Sequence, residues 1–167
     1  MEKVKKFLID ILESVGIVLL VVFILNKFVI VSVEVMGSSM VPGLETGDRG
    51  ISLLVTRNNI ERFDICVIES EKSSSLLVKR VIGLPGETVE YRDNKLYING
   101  EYVEEDFLTD TVTADFSVVL GEDEYYCLGD NRRVSRDSRY YGPFTMEDIK
   151  STNLFIYYPL NHFGIKK

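Results

Sequence analysis

Three short segments of this 167-residue chain combine hydroxyl, cationic and small residues in a way that could support catalysis. They are residues 37–44 (GSSMVPGL), residues 79–87 (KRVIGLPGE) and residues 129–139 (GDNRRVSRDSR). In the first segment small residues flank the serines, so a backbone N–H could approach a bound carbonyl group. A serine hydroxyl is a weak nucleophile until a base activates it. The first segment is therefore a candidate nucleophile loop that needs a base from elsewhere.

The second segment offers a lysine as that base. Val78 and Val81 flank Lys79 and Arg80 in a β-rich run, and the two-residue period of a strand directs one cation inward and the other outward. An inward lysine is desolvated, which lowers its pKa and can leave a neutral amine near pH 7. Such an amine can accept the proton of a serine hydroxyl.

Residue counts argue against several other chemistries. The chain has one histidine, His162, which disfavours a histidine-based triad or a site with several histidine ligands. Cys66 and Cys127 form no CxxC pair, so we interpret them as small core residues, with a disulfide between them as the open alternative. We expect neither a metal nor a cofactor.

The charge balance argues against nucleic acid as a partner. The chain has 19 Lys and Arg against 26 Asp and Glu, a net charge of −7, whereas phosphate binding needs a concentrated excess of cations. The arginines of the third segment stand beside Asp130 and Asp137, which predicts a locally paired loop. Residues 1–31 hold four of the cations and three of the anions, so the remainder carries a net charge of −8.

Apolar residues are concentrated near the N-terminus. Residues 15–25 have no polar side chain, and the stretch 11–31 has 21 residues, close to the ~20 that cross a bilayer as a helix. The apolar stretch is preceded by Lys3, Lys5 and Lys6. The positive-inside rule therefore places residues 1–10 in the cytoplasm and residues 32–167 outside. A cleavable signal peptide is disfavoured because no small-residue cleavage site follows. A buried helix of a soluble protein is the third interpretation.

The outer part consists of short strand patterns separated by turns, and its length suits one domain. Asn99-Gly100 is a strong type I′ hairpin signal, and Asp93-Asn94 is a second tight turn. Residues 69–75 predict a polar hairpin loop, and residues 145–150 at most a short helix. Candidate strands cover residues 29–35, 49–55, 64–69, 76–83, 88–92, 95–98, 125–128 and 154–158. The predicted fold is mainly β: a compact, barrel-like antiparallel sheet preceded by one transmembrane helix.

The three segments, their order and the preceding membrane segment resemble bacterial type I signal peptidases, the membrane-anchored Ser/Lys proteases that remove signal peptides from exported proteins. The shared patterns are S-M-x-P, K-R-V-I-G-x-P-G and G-D-N-R-x-x-S-x-D-S-R-x-x-G, and the resemblance extends from the anchor to Gly142. The lysine distinguishes the chain from the endoplasmic-reticulum-type subgroup, which has histidine there. Gly37 and the single span are similar to the Gram-positive subgroup.

The resemblance implies a role for each matching residue. Ser39 would be the nucleophile, Lys79 the general base, and Ser135 would hydrogen-bond Lys79 and orient its amine. The Ser39 N–H would donate to the oxyanion, in a region that includes Gly37 and Ser38. The supporting loop residues would be Asp130, Asn131 and the ion pair of Asp137 with Arg139, and substrate contacts would come from Met40, Pro42 and Val78.

Two positions depart from the family pattern. Gly43 stands where the family usually has threonine, and Arg62-Phe63-Asp64 stands where it usually has Arg-Gly-Asp. We expect Gly43 to add backbone freedom beside the nucleophile, and Phe63 to put a ring where glycine would allow a positive φ. Neither change removes a catalytic group, so their expected effects are on substrate range or turnover.

The implied substrates are the signal peptides of exported preproteins, with membrane lipid and the secretion machinery as further partners. Ser39 lies eight residues beyond Val31, so an extended connection reaches at most about 28 Å from the membrane boundary. The substrate would bind as an added strand, with small side chains before the scissile bond in two shallow apolar pockets. Two alternatives remain: a non-catalytic relative that assists assembly of surface proteins such as pili, and a self-cleaving repressor-type Ser/Lys peptidase.

Overall fold

A long apolar helix opens the chain. The computed structural model describes residues 2–108 and 112–166, and helix α1 covers Glu2–Phe28. Within Glu2–Leu25, a stretch of 18 residues has a mean hydropathy of 2.7, and 0% of that stretch is buried within the protein. This exposure contradicts the buried-helix interpretation and fits a membrane anchor. The helix begins before the predicted residue 11 and ends before residue 31, because Ile30 and Val31 already pair with the next strand.

Twelve strands follow within the described residues, together with a short helix and two 3₁₀ turns at Leu54–Asn58 and Leu160–His162. The strands are β1 (Ile30–Glu34), β2 (Arg49–Leu53), β3 (Ile65–Ile68), β4 (Leu77–Gly83), β5 (Thr88–Arg92), β6 (Lys95–Ile98), β7 (Glu101–Val103), β8 (Phe116–Val119), β9 (Glu124–Leu128), β10 (Phe144–Thr145), β11 (Ile149–Tyr158) and β12 (Gly164–Lys166); helix α2 is Ser138–Tyr141.

The strands form two antiparallel sheets. The larger has the order β1-β2-β11-β3-β4-β9-β10, with β12 also on β11, and the smaller has the order β7-β6-β5-β8. The larger sheet is irregular because β11 pairs with both β2 and β3 through shifts in register. The mainly β, antiparallel fold is confirmed.

The smaller sheet is inserted between β4 and β9. Asp93 and Asn94 have φ values of 52° and 61°, and Asn99 has 53°, which are the left-handed values that tight hairpins require. Both predicted hairpin turns are therefore confirmed. Strands β7 and β8 were not predicted from the sequence, because they are short and only partly buried.

Strand β4 is buried on both faces, which corrects one expectation. Lys79 is 3% exposed and Arg80 is 4% exposed, although they point to opposite faces of the strand. One cation was predicted to point outward, but the ring of Phe107 and the carboxylate of Asp130 cover that face, so neither cation reaches solvent.

The end of the chain also differs from expectation. Residues 145–150, for which at most a short helix was predicted, form none: Thr145 ends β10, and Ile149 and Lys150 begin β11. Strand β11 is longer than predicted because its first half pairs with β3 and its second half with β2.

The cysteines are core residues, as predicted. Cys66 and Cys127 are both 0% exposed and are free thiols with their sulfur atoms 3.7 Å apart. Because β4 lies between β3 and β9, the two backbones are two strand spacings apart, farther than a disulfide usually bridges.

Candidate active site

The fold brings Ser39 and Lys79 into contact. Ser39 lies in the turn that follows β1, and Lys79 lies on β4, where it pairs with Cys66 of β3. Lys79 Nζ is 3.0 Å from Ser39 Oγ and donates to the Val78 carbonyl oxygen at 2.8 Å. A hydroxyl and an amine at this distance can exchange a proton directly.

Burial shifts the pKa of Lys79. Desolvation lowers the pKa from its usual 10.5, and the nearby charge of Asp137 opposes the shift without cancelling it. The amine is consequently easier to deprotonate than a surface lysine.

The third segment holds the backbone of Ser39. The N–H of Asn131 donates to the Ser39 carbonyl oxygen at 3.0 Å, and the Asn131 carbonyl oxygen accepts from Ser135 N at 3.1 Å. A Cβ atom at Gly129 would lie 2.4 Å from the Ser39 carbonyl oxygen and 2.3 Å from Ser135 Oγ. Only glycine leaves room for the two loops to meet.

We predict that Gly129→Ala disrupts the site. The added methyl group must displace the Ser39 backbone or Ser135, which should lower kcat/KM by about 100-fold, the usual cost of a 1 Å misplacement, and destabilise the domain by ~1–3 kcal/mol. Cleavage kinetics and thermal unfolding measure the two effects. Gly121→Ala is the control, since its Cβ would meet nothing closer than 3.4 Å; equal effects of both variants would contradict the prediction.

Asp137 and Arg139 form an ion pair behind this loop. Arg139 Nε and Nη2 lie 2.8 Å and 2.7 Å from the two carboxylate oxygens, and the carboxylate also accepts from the Gly129 N–H at 3.0 Å. Burial alone would raise the pKa of Asp137, but the hydrogen bonds from Arg139 and Gly129 outweigh it and lower the pKa. Asp137 is thus a fixed anion beneath the loop.

Ser135 lacks the hydrogen bond that was expected of it. Its hydroxyl is close enough to Asp137 to help lower the pKa of that carboxyl group. Ser135 Oγ is nevertheless buried and forms no hydrogen bond of normal geometry with any described residue. The contacts of the Lys79 amine are with Ser39 Oγ and the Val78 carbonyl oxygen, and the predicted bond to Ser135 is not among them.

Asp130 forms a buried ion pair with the second cation of β4. Arg80 Nε and Nη2 each lie 2.8 Å from a carboxylate oxygen of Asp130, and Arg80 Nη1 donates to the Phe63 carbonyl oxygen at 2.7 Å. The guanidinium group also stacks over Phe107 at 4.1 Å. This pair connects β4 to the segment that holds Ser39.

The two departures from the family pattern both contact this pair. A Cβ at Gly43 would lie 2.4 Å from Asp130 Oδ2 and 3.2 Å from Arg80 Nη2, so Gly43 permits close packing rather than extra freedom. Phe63 adopts the positive φ of 72° that was expected to need glycine, at a cost of ~1–2 kcal/mol. Its ring packs edge-on against Phe107 at 5.1 Å, which offsets the strain.

Arg132 is a structural link that the sequence patterns did not identify. Its Nε donates to the Gly129 carbonyl oxygen at 2.9 Å, Nη2 lies 2.6 Å from Glu105 Oε1, and Nη1 donates to the Tyr91 hydroxyl. Arg132 therefore attaches the smaller sheet to the loop that supports Ser39. The only sequence signal was a basic residue inside the third segment.

The turn before Ser39 is also held in place. Gly37 has a φ of +87°, a backbone angle that residues other than glycine rarely adopt. Its carbonyl oxygen accepts a hydrogen bond from Thr46 Oγ1 at 2.9 Å. Ser38 is exposed. At the end of the same loop, buried Asp48 lies 2.7 Å from His162 Nδ1, so the single histidine attaches the C-terminal tail to this loop.

A cavity of about 210 Å³, which we call the β1-side cleft, adjoins Ser39 and Lys79. Residues 32–36, 39–40 and 75–79 line it, and they include the predicted contacts Met40 and Val78. Pro42 was expected to contact substrate, but it is exposed and is not among the described residues that line this cleft.

A serine hydroxyl in contact with a buried lysine amine is an arrangement that a serine endopeptidase without a catalytic histidine can use. The family model for "Signal peptidase, peptidase S26" matches residues 8–158. Signal peptidase IB of Staphylococcus aureus (strain Mu50) is 31% identical over 95% of this chain and 94% of its own. Signal peptidase I S of Bacillus subtilis (strain 168) is 34% identical over 94% of this chain and 92% of its own length.

A solved structure agrees. The crystal structure of a signal peptidase I from Enterococcus faecalis V583 matches with a TM-score of 0.53 and 38% identity, over 56% of this chain and 96% of that one. This chain belongs to the signal peptidase family, peptidase S26. The relatives support signal-peptide removal by a serine endopeptidase of this family, and the non-catalytic alternative is not favoured.

Proposed function

We propose that Ser39 is the nucleophile and Lys79 the general base of signal-peptide cleavage. The observation that carries the proposal is the 3.0 Å contact between Ser39 Oγ and a lysine amine whose pKa is lowered by burial. Ser39 attacks the scissile carbonyl carbon while Lys79 accepts its proton. The same amine then protonates the departing amino group and activates the water that releases the acyl-enzyme.

The oxyanion is stabilised by the backbone N–H of Ser39. The left-handed backbone of Gly37 and the exposed residue Ser38 shape the turn that presents this donor. Loss of one such donor costs ~3 kcal/mol of transition-state stabilisation in comparable sites.

Ser135 serves as a positioning residue for the protonated lysine. An ammonium group has three N–H donors, and the contacts of the Lys79 amine account for two acceptors, Ser39 Oγ and the Val78 carbonyl oxygen. The buried Ser135 hydroxyl, which has no regular hydrogen bond to the described residues, is a candidate third acceptor once Lys79 gains a proton. The ion pairs of Asp137 and Asp130, with the Asn131 N–H, keep this loop against Ser39.

The preprotein binds as an extended strand in the β1-side cleft. The buried side chain of Met40 and the half-buried Val78 form apolar lining there, which suits small side chains before the scissile bond. Anchoring by α1 holds the site near the membrane, with residues 1–10 in the cytoplasm, residues 32–167 outside, and lipid and the secretion machinery as partners. The lysines at the start of the chain support this orientation.

The nucleophile is tested with the full-length enzyme in lipid vesicles and a purified preprotein. Ser39→Ala should reduce cleavage by at least about 1,000-fold. Ser39→Cys should keep part of the activity and lose it on treatment with a thiol-alkylating reagent. The wild type should resist the reagent, because Cys66 and Cys127 are 0% exposed.

Ser117→Ala, at an exposed position of β8, is the control and should cleave at the wild-type rate. Cleavage by Ser39→Ala at the rate of this control would refute the assignment. Alkylation that inhibits the wild type as strongly as Ser39→Cys would do the same.

A further inference from the structure

A second depression also reaches the catalytic pair and shares only part of its lining with the β1-side cleft. This cavity of about 540 Å³, which we call the distal groove, shares Ser39, Ser75, Leu77 and Lys79 with the cleft. Its other walls are the loop of residues 72–74 and the segment from Val134 to Tyr141, and no described residue of β1 lines it. The cleft and the groove together form one channel that passes the Ser39 hydroxyl.

The distal groove is lined by basic side chains, although the protein as a whole has a negative net charge. Besides Lys79, the described residues that line it include two cations, Lys72 and Arg136, and no Asp or Glu, whereas the whole chain has a net charge of −7. Asp148 lies close enough to Lys72 for that lysine to help lower its pKa. Arg136 stacks on Tyr140 at 5.3 Å and forms no ion pair with a described carboxylate.

Chain direction assigns the two halves of the channel. Strand β1 continues directly from the anchor helix α1, so the β1-side cleft lies on the side from which a membrane-embedded signal peptide arrives. A substrate that enters there leaves through the distal groove after it passes Ser39. The groove therefore receives the first residues of the mature protein.

We propose that the distal groove selects preproteins by the charge of the residues just after the scissile bond, with Arg136 and Lys72 favouring acidic residues and disfavouring basic ones. The inference rests on the proposed function, since it uses Ser39 as the point of cleavage. Solvent-exposed charges contribute modestly to binding and are screened by salt. The selectivity is thus a matter of several-fold differences that decrease with ionic strength.

The test uses three versions of one preprotein that differ only at the second and third residues after the scissile bond: Asp-Asp, Ser-Ser and Lys-Lys. At low salt, the full-length enzyme should cleave the Asp-Asp form with a kcat/KM about 5- to 10-fold above that of the Lys-Lys form, with Ser-Ser between them. The ratio should fall towards one in ~0.5 M salt and in Arg136→Gln/Lys72→Gln, and reverse in Arg136→Glu.

Arg133→Gln is the matched control, because Arg133 is an exposed arginine of the same loop that does not line the groove. It should keep the wild-type ratio. Equal cleavage of all three substrates by the wild type, or the same ratio in Arg136→Gln/Lys72→Gln, would overturn this inference and leave the proposed function intact. Failure of the wild type to cleave any of the three would instead refute the proposed function.

Discussion

Lys79→Met is expected to lose at least about 1,000-fold in kcat/KM for signal-peptide cleavage, while its melting temperature stays at or above that of the wild type. The activity falls because methionine cannot accept the Ser39 proton. The stability does not fall because methionine fills a similar volume without the desolvation penalty of a buried amine. Preprotein cleavage and thermal unfolding at pH 7 measure the two effects.

The pH dependence follows from the lowered pKa of Lys79. A general base must be neutral, so wild-type kcat/KM should rise with pH, with a midpoint below the usual lysine value of 10.5. In the unfolded chain the amine keeps its proton up to that value. The free energy of unfolding should therefore increase with pH between the folded-state pKa of Lys79 and 10.5. Lys79→Met should abolish this increase.

Two further variants separate the base from its charge. Lys79→Arg retains a cation that cannot deprotonate and should be as inactive as Lys79→Met. Lys95→Met, at an exposed position of β6, should keep full activity and the wild-type pH profile. Substantial activity in Lys79→Arg would show that the positive charge, rather than proton transfer, is what the site needs.

Arg80→Met is expected to destabilise the β domain by about 3–5 kcal/mol, because it leaves the Asp130 carboxylate buried without its partner. Arg80 and Asp130 side chains are 4% and 0% exposed. At about 2–4 °C per kcal/mol for a domain of this size, the melting temperature should fall by about 10 °C. Cleavage should also weaken, since Asp130 precedes Asn131, whose N–H holds the Ser39 carbonyl group.

Matched variants show whether the buried charge is the cause. Arg49 also pairs with a carboxylate, but the Arg49 and Glu34 side chains are 52% and 55% exposed, so Arg49→Met should change the melting temperature little. The double variant Arg80→Met/Asp130→Asn should recover part of the lost stability, because no ionised group is then left unpaired. A melting temperature for Arg80→Met equal to that of Arg49→Met would contradict this account.

The candidate nucleophile loop and the inward lysine were predictable from local patterns. Lys79 sits in an apolar run whose alternation directs one cation inward, and a single histidine left lysine as the available base. The hairpin turns at Asp93-Asn94 and Asn99-Gly100 were also predictable, because left-handed φ values in two-residue loops favour Asn, Asp and Gly. In each case the determining interaction lies within a few residues.

The errors share a different cause. Alternation was expected to direct one cation of β4 outward, but Asp130 and Phe107, from distant parts of the chain, cover Arg80. Gly43 was interpreted through its backbone freedom, whereas its role is to let Asp130 approach. The alternation of residues along one strand predicts the face to which a side chain points. It does not predict which residues from other parts of the chain cover that face.

The amino-acid sequence alone determined the kind of protein: an apolar N-terminal helix, a β-rich domain, and a serine and a lysine in segments that resemble the signal peptidases. Only the tertiary structure decided which partners those residues have. It directs the Lys79 amine to Ser39 and Val78 rather than to Ser135, attaches the smaller sheet through Arg132, and gathers Lys72 and Arg136 in one groove. The physical reason is that propensity and periodicity act between neighbours in the chain, whereas burial, ion pairing and groove charge depend on residues that meet only after folding.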